Sequence, residues 1–269
     1  MGGMAAKDLT RQIVVISAFC FMIIAAMVGS GLFGGTAVED LQDGALSSEG
    51  SYLAPASTAF SIWSVIYVGL FAYTVWQAFP RQRERSRQRA IGWLVAGTMV
   101  LNGLWLITAQ FLTLPLTVLS IVLLLALLCV TFRTTITNPG RGVVDAVLID
   151  GVTGLHLGWV TLATVANTSA WLTTIAPAEA ADAAALWGIA VLIVVGVIGV
   201  AIAWASGWRV APGLAMSWGL VWIGVGRLAS EPESTPIGIT ALVVAAVVLL
   251  VPLAGTALHR VADVRNAEA

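Results

Sequence analysis

The sequence predicts an all-α integral membrane protein with eight transmembrane helices. Three observations carry this prediction: the composition, the length of the apolar runs, and the signs of the charges between those runs. Of the 269 residues, 59% are hydrophobic and 10% are charged, whereas a soluble globular domain carries about 25% charged residues. The mean hydropathy is +0.94. The net charge of −1 gives no indication of nucleic-acid binding, and we expect no nucleic-acid partner.

Eight windows of about 20 mostly apolar residues are each long enough to cross a bilayer. The windows are residues 12–34, 57–79, 90–110, 114–132, 145–168, 185–207, 210–229 and 236–258. The first window follows Lys7 and Arg11. We interpret it as a retained helix rather than a signal peptide, because its apolar run is long for a signal peptide and no clear A-x-A site follows it.

The signs of the charges alternate from one link between windows to the next. The first, fifth and seventh links are acidic, the second, fourth and sixth links and the C-terminal segment are basic, and the third link is very short and uncharged. The acidic residues are Glu39, Asp40, Asp43, Glu49, Glu179, Asp182, Glu231 and Glu233, and the basic residues are Arg81, Arg83, Arg85, Arg87, Arg89, Arg133, Arg141, Arg209, Arg260 and Arg265. Arg227 is the only exception. Because basic links favour the cytoplasmic side, we expect a multi-pass protein of a bacterial-type inner cell membrane with both termini in the cytoplasm.

Common catalytic and metal-binding motifs are absent from the sequence. It contains no G-x-S-x-G, H-E-x-x-H or C-x-x-C motif. Its two histidines, His156 and His259, cannot build a multi-histidine metal site. Cys20 and Cys129 lie within apolar runs, so we interpret them as small buried hydrophobes without a disulfide or metal. The sequence therefore predicts a protein that is not an enzyme, with no catalytic or metal site and no obligatory cofactor.

Two windows carry aromatic and polar side chains at helical spacing. Trp63 and Tyr67 lie four residues apart in the second window and therefore share a helix face. The third window carries Asn102 and Trp105, three residues apart. Indole and phenol groups at this depth need hydrogen-bond partners from neighbouring helices or from a ligand. For Asn102, and for Asn167 in the fifth window, the sequence leaves a hydrogen bond across helices and a ligand contact equally open.

The fifth window is the richest in polar groups. At about 100° per residue, one face of an ideal helix carries Asp145, His156, Trp159, Ala163 and Asn167. The same arithmetic turns Asp150 about 140° away from Asp145. Polar groups within a span usually face the bundle interior, because placing them in lipid is costly. We expect Asp150 to reach the arginine-rich interface or to pair with Arg141.

Three of these patterns together resemble the TspO/MBR family of tryptophan-rich sensory or translocator proteins. The second window contains W-S-V-I-Y at 63–67, followed by Trp76. The third window contains L-N-G-L-W at 101–105, similar to the family's L-N-x-x-W. The family's fifth helix reads P-Y-x-x-W-x-x-x-A-x-x-x-N, and residues 155–167 match its tryptophan, alanine and asparagine at the same spacing.

The resemblance covers roughly residues 12–172 and implies a TspO-like five-helix transmembrane bundle with a pocket beneath the first loop. It implies that this pocket binds a flat hydrophobic ligand such as a tetrapyrrole, either porphyrin or haem, in a sensory or transport role. The ligand-binding residues that it implies are Trp63, Tyr67, Asn102, Trp105, His156, Trp159, Ala163 and Asn167. His156 stands where the family has tyrosine, and an imidazole there could ligate haem iron.

The last three windows lie outside the usual five-helix family fold. We therefore divide the chain into a TspO/MBR-like membrane domain, residues 1–178, and a C-terminal three-helix membrane extension, residues 179–269. Two other functions stay open: a secondary transporter of another small molecule, although no internal repeat is evident, and an intramembrane enzyme acting on a lipid or pigment through Asp145, Asp150 or His156. The expected partners are a hydrophobic small-molecule ligand, the lipid bilayer and, as a further option, a second copy of the chain in a homodimer.

Overall fold

The computed structural model describes residues 2–33, 36 and 41–268. The long helices are α1, Gly2–Gly29; α2, Ile62–Ala78; α3, Ser86–Phe111; α4, Leu114–Thr137; α5, Val143–Ile175; α6, Ala184–Ala205; α7, Ala211–Ala229; and α8, Thr235–Glu268. No strand occurs within these described ranges. The prediction of an all-α membrane protein is therefore confirmed.

Short helical turns occupy several of the links, and prolines mark where helices begin. The short elements are a one-turn α-helix, Pro80–Arg83, and 3₁₀ turns at Gln42–Gly44, Ser57–Ser61 and Ala178–Ala183. Pro115, Pro212 and Pro236 each lie in the first turn of a long helix. A proline is tolerated there because the backbone nitrogens of the first turn have no partner within the helix.

Seven of the described helices are long and apolar enough to cross a membrane, and α7 is not among them. Helix α7 is 19 residues long and contains four glycines, two tryptophans and Arg227. Contacts at its two ends nevertheless show that α7 runs the length of the bundle. Arg209, just before it, donates to Asp150 at 2.9 Å, and Arg227, near its end, donates to the Ser51 carbonyl at 3.1 Å. A multi-pass membrane architecture is thus confirmed, whereas the count of eight spans stays a prediction.

Helices α1 to α5 form one bundle around a shared core. Helix α1 packs against α2 and α3, α4 packs against α3 and α5, and α5 closes the ring against α2. Large buried side chains at its centre are Met22, Ile66, Met99, Leu124 and Trp159. Because lipid is as apolar as these side chains, their stabilisation comes from close packing rather than from the exclusion of water.

Of the three C-terminal helices α6, α7 and α8, it is α7 that makes the main contact with this bundle. It packs against α5 on one side and against α8 on the other, and α6 also packs against α8. Gly158 of α5 lies so close to Pro212 of α7 that a Cβ atom at 158 would meet the Pro212 carbonyl oxygen. Such close approaches at small residues are typical of helix contacts in membranes. The predicted boundary between residues 178 and 179 lies in the α5–α6 link, and the division into two domains stays a prediction.

Basic links and both ends of the described chain lie at one end of the bundle, which we call the basic end. There, Arg89 of α3 donates to Asp8 of α1 at 2.9 Å. On the C-terminal side, Thr256 of α8 donates to the Trp208 carbonyl at 2.7 Å, next to the link that carries Arg209. The first loop lies at the opposite end. Two of its predicted acidic residues, Glu39 and Asp40, lie outside the described residues.

A π-helical turn, Ala146–Gly151, interrupts α5; Asp145 directly precedes this turn and Asp150 lies within it. Arg87 contacts both of them: Nη2 donates to Asp150 Oδ1, and Nη1 lies 4.0 Å from Asp145 Oδ2. The prediction that Asp150 points about 140° away from Asp145 is wrong, because residues five apart in a π-turn lie nearly above one another. Asp150 does reach the arginine-rich interface. Arg141, the other expected partner, instead donates its backbone N–H to Asp145 at 2.8 Å.

Both cysteines lie on the outer surface of the bundle. Cys20 of α1 and Cys129 of α4 are exposed, so the prediction that they are buried in the protein interior is wrong. The reason is that an apolar position in a transmembrane helix is compatible equally with a helix contact and with lipid.

Candidate functional site

Trp63 of α2 is the centre of the candidate site. Its ring stacks with Tyr67 at 5.3 Å and with Trp105 at 6.1 Å between ring centroids. His156 and Trp159 meet the same ring in T-shaped arrangements at 5.9 and 6.0 Å. Aromatic pairs in these geometries stabilise a fold by about 0.5–1.5 kcal/mol beyond their burial. Helices α2, α3 and α5 therefore meet in one aromatic cluster, formed by these five residues.

Two asparagines accept hydrogen bonds from this aromatic cluster. Tyr67 Oη donates to Asn102 Oδ1 at 3.1 Å, and Trp105 Nε1 donates to Asn167 Oδ1 at 3.2 Å. The amide nitrogen of Asn167 donates in turn to the Ala163 carbonyl at 2.8 Å. Both asparagines thus make hydrogen bonds across helices, which was one of the two roles that the sequence left open. The structure brings all eight predicted site residues together.

Three polar atoms of the site are buried without a hydrogen-bond partner among the described residues. They are Asn102 Nδ2, His156 Nε2 and Trp159 Nε1. A buried polar group without a partner destabilises a protein by about 1–3 kcal/mol. Buried polar atoms in a native protein usually have a partner, which for these three atoms can be a bound water or a ligand.

The space around the aromatic cluster is divided in two by Phe60, Trp63 and Trp105, which line both parts. The first part, which we call the enclosed cavity, is the narrower and less open of the two and measures about 40 Å³. It is bordered by Trp159 and Asn167 of α5 and by parts of the first loop. A ligand pocket for a drug-sized molecule measures about 300–1,000 Å³. The enclosed cavity is therefore too small for a tetrapyrrole.

The second part is a groove of about 430 Å³ on the other side of the tryptophans. We call it the aromatic groove. Its lining residues are Ala26, Gly29, Ser30, Leu46, Ser57, Phe60, Trp63, Tyr67, Trp105 and Leu106. Asn102 and His156 line neither space. The single pocket that the resemblance implies is thus two spaces, and only the groove is large enough for a flat macrocycle.

The first loop covers the site at the end of the bundle opposite the basic end. Residues 45–47 and 54–55 line the enclosed cavity, and Leu46 also reaches the aromatic groove. On the side of α3 and α4, the Gln42 side chain donates to the Leu112 carbonyl. The enclosed cavity therefore lies beneath the first loop, where the resemblance places the family's pocket.

A family model described as TSPO-like protein matches residues 12–254 of the chain. The chain belongs to this TSPO-like family. No curated protein and no solved structure matches it. The match runs beyond the three motifs, the last of which ends at Asn167, and it continues through α6, α7 and most of α8. In this TSPO-like protein the family likeness therefore includes the C-terminal helices.

Helix α7 of this TSPO-like protein holds the segment that leads from the first loop into α2. The backbone N–H of Ala56 donates to the Trp222 carbonyl at 3.1 Å, and Trp218 Nε1 donates to the Ala59 carbonyl at 2.9 Å. The Ala56 N–H precedes the 3₁₀ turn Ser57–Ser61 and has its partner in α7, whereas the Ala59 carbonyl accepts both from Trp218 and from the Ile62 N–H of its own segment.

Arg227 extends this attachment to the loop itself. Its guanidinium donates to the carbonyls of Ser48 at 2.8 Å and Ser51 at 3.1 Å, and also to the Glu231 carbonyl at 3.3 Å. The side chain is 1% exposed. A planar guanidinium can reach several carbonyls at once because its donors spread in a fixed fork. Helix α7 thus fixes the first loop over the enclosed cavity.

Sequence reasoning missed the part that α7 plays at the site. Two signals were present: Arg227 was the one exception to the alternation of charges, and Trp218 and Trp222 have the same four-residue spacing as Trp63 and Tyr67. Neither signal indicates a partner, because the groups that they meet are backbone atoms of the loop, which have no signature in the sequence.

The charged residues of α5 lie apart from the aromatic cluster. Asp145 and Asp150 are engaged by arginines at the basic end, Asp145 by Arg85 at 2.9 Å and Asp150 by Arg209 at 2.9 Å. Within the part of the chain that the structure describes, no group of three or more His, Cys, Asp or Glu residues is placed to hold a metal ion.

Proposed function

We propose that this TSPO-like protein is an integral membrane receptor or carrier that binds a flat hydrophobic ligand in the aromatic groove. Membership of the family supports a membrane ligand-binding or transport role. The observation that carries the finer proposal is the stack of Tyr67, Trp63 and Trp105 along one wall of a space of about 430 Å³. A volume of this size lies within the range of pockets that enclose small molecules.

The chemistry of the groove favours a flat conjugated ring, with any charged substituents of the ligand left in solvent at the open side of the groove. Flat conjugated rings stack favourably on indole and phenol faces. The polar side chains of the lining are two hydroxyls, Ser30 and Ser57, together with the indole and phenol groups. None of the lining residues that the structure describes is charged. We therefore propose a tetrapyrrole such as a porphyrin as the ligand class, with a sensory or transport role.

Porphyrin fits this groove better than haem ligated by His156. The imidazole packs against the Trp63 ring at 5.9 Å and does not line the groove. A haem stacked on the wall of Trp63 and Trp105 would have that wall between its iron and His156. Tyr67 does line the groove, and a phenol is one of the side chains that can ligate haem iron.

We further propose that the protein acts in the cell membrane with its basic end in the cytoplasm. The arginines of this end follow the bias of cytoplasmic links. Both termini then lie in the cytoplasm, and the first loop faces the opposite side. A ligand that enters the groove near Gly29 and Ser30 of α1 approaches from that opposite side.

A non-enzymatic role is part of the proposal. The alternative of an intramembrane enzyme relied on Asp145, Asp150 or His156. The two carboxylates are held by arginines at the basic end, and the histidine is packed among tryptophans. A general acid or base must lie within hydrogen-bond reach of the substrate proton that it transfers. None of these three side chains lines the aromatic groove, so the arrangement favours binding instead.

Porphyrin titration of the purified protein in detergent tests the proposal. Protoporphyrin binding is followed by the red shift of its absorption, and the measurement is repeated with Trp63→Ala and Trp105→Ala. The matched control is Trp204→Ala on the lipid-facing surface of α6, where the ring is 71% exposed. We expect both groove variants to lose most of the affinity and the control to keep it. Equal affinity in all four proteins would refute the assignment of the groove.

A further inference from the structure

A second concave space lies outside the candidate site, between α5 and α6. These helices follow one another in the chain, but α6 packs against α8 and α7. The result is a crevice of about 590 Å³, which we call the α5–α6 crevice. Thr164, Thr168 and Leu172 line it on the α5 side, and Trp187 and Val191 line it on the α6 side.

The lining of this crevice suits an apolar ligand rather than a polar or charged one. None of its described lining residues carries a charge. Its threonines donate their hydroxyls back into α5: Thr164 to the Val160 carbonyl at 2.7 Å, and Thr168 to the Thr164 carbonyl at 2.7 Å. No buried polar atom without a partner, among the described residues, belongs to the lining. A charged or strongly polar molecule would lose its hydration there without gaining partners.

The length and position of the crevice match one leaflet of a bilayer. On the α5 side it extends from Thr164 to Ala176, the residue directly after the helix, and these twelve residue steps span about 18 Å, whereas the whole hydrocarbon core is about 30 Å thick. It opens to the outside through Leu172 and Trp187, which are 50% and 68% exposed. The last residues of α5 lie at the end of the bundle that carries the first loop, opposite the basic end. The crevice therefore runs inward from the membrane surface on that side.

We propose that the α5–α6 crevice is a binding site for one acyl chain of a membrane phospholipid, with the headgroup at the Ala176 end. This site is separate from the aromatic groove, and the proposal does not depend on porphyrin binding. The two regions meet at one segment of the first loop: Tyr52 and Leu53 line the crevice, whereas Ala54 and Pro55 line the enclosed cavity. A chain in the crevice therefore contacts the same segment that covers the candidate site.

Photo-crosslinking in vesicles tests this proposal. The full-length protein is reconstituted in phosphatidylcholine vesicles that contain a small fraction of phosphatidylcholine with a diazirine on one acyl chain. After irradiation, labelled peptides are identified by mass spectrometry. We expect labelling concentrated on the crevice faces of α5 and α6. Labelling spread evenly over all lipid-facing helix surfaces would overturn the proposal.

Matched variants locate the label. Val191→Trp places an indole inside the crevice, and Val194→Trp places the same group one turn away on the lipid face of α6, where Val194 is 55% exposed. We expect Val191→Trp to abolish crevice labelling and Val194→Trp to retain it. Thr168→Trp fills the crevice from α5 and gives the same test independently of the folding of Val191→Trp. Equal labelling of the filled and control variants contradicts the proposal.

A competition experiment checks the class of lipid. Farnesol, an isoprenoid alcohol, is titrated into the same vesicles, and we expect the ratio of crevice label to label on the other lipid-facing surfaces to stay unchanged. If farnesol removes the crevice label while the label on the other lipid-facing surfaces remains, the crevice does not hold a phospholipid chain and the proposal fails.

Discussion

Trp105 Nε1 donates to Asn167 Oδ1 at 3.2 Å and thereby joins α3 to α5 beside the aromatic cluster. The Asn167 amide nitrogen donates to the Ala163 carbonyl at 2.8 Å, and this bond turns the amide oxygen toward the indole. Both side chains are buried. The hydrogen bond therefore fixes the plane of Trp105, and with it the surface on which Trp63 stacks.

Replacing Asn167 by leucine should show how much the Trp105–Asn167 hydrogen bond contributes to the free energy of unfolding. The Asn167→Leu variant leaves the indole N–H buried without an acceptor, so we expect the free energy of unfolding to fall by about 1–3 kcal/mol. In the double variant Trp105→Phe/Asn167→Leu neither group is present, and the loss should be smaller than the sum of the two single losses. Thermal unfolding in one detergent measures all four proteins. Additive losses would show that the two side chains do not act as a pair.

The cluster around Trp63 could be predicted from the sequence because regular helix geometry relates its members. His156, Trp159, Ala163 and Asn167 all follow the π-turn of α5, so their common face follows from a uniform helical repeat. A prediction made across that turn failed, because no residue pattern marks a π-turn and one extra residue per turn rotates everything before it. For this reason the placement of Asp150 was wrong.

The shape of the ligand space and the role of α7 could not be predicted from the sequence. The rotamers of Phe60, Trp63 and Trp105 decide whether one pocket or two spaces result, and rotamers depend on packing in three dimensions. Likewise, Arg227 was visible as an exception in the charge pattern, but its partners are loop carbonyls, which every residue possesses.

The ion pairs at the basic end provide a second prediction. Asp150 accepts hydrogen bonds from Arg87 and from Arg209, which connects α3 and the α6–α7 link through α5. The Arg87 side chain is only 7% exposed, and in Asp150→Asn its positive charge loses one of the carboxylates that neutralise it. Breaking a buried ion pair lowers stability by about 3–5 kcal/mol, and we expect a loss approaching this value. The control is Glu84→Gln, an exposed carboxylate of the same end, for which we expect a change within about 0.5 kcal/mol.

Thermal unfolding in detergent compares the stability of Asp150→Asn with that of Glu84→Gln. The double variant Arg87→Met/Asp150→Asn removes the buried charge together with its partner and should recover part of the loss. If Asp150→Asn is as stable as Glu84→Gln, the ion pairs at the basic end contribute nothing to the packing of α5.

The contact between α5 and α7 provides a third prediction. A methyl group at Gly158 would meet the Pro212 carbonyl oxygen, which is backbone and cannot turn away. At Gly226 of α7 the nearest atom to an added Cβ is 3.6 Å away, which is ordinary contact. We therefore expect Gly158→Ala to lower the melting temperature and Gly226→Ala to leave it nearly unchanged. Two variants of equal stability would mean that α5 and α7 adjust their separation freely.

The fourth prediction concerns the hold of Arg227 on the first loop. Without the guanidinium in Arg227→Ala, the Ser48 and Ser51 carbonyls lose their shared donor. We expect faster hydrogen exchange at the backbone N–H of Ala54, which is bonded to the Ser51 carbonyl. Exchange at Gly158 and its neighbours in α5 should stay slow, because a local opening leaves the bundle packed.

Two further variants separate the guanidinium from general effects at the end of α7. Arg227→Lys keeps the charge but loses the planar fork, so exchange in residues 48–56 should rise to an intermediate rate. Leu228→Ala truncates the neighbouring side chain, which is 44% exposed, and should leave loop exchange as in the wild type. If Arg227→Ala and Leu228→Ala give the same exchange rates in residues 48–56, the loop is held over the enclosed cavity by other contacts, and α7 does not act as its anchor.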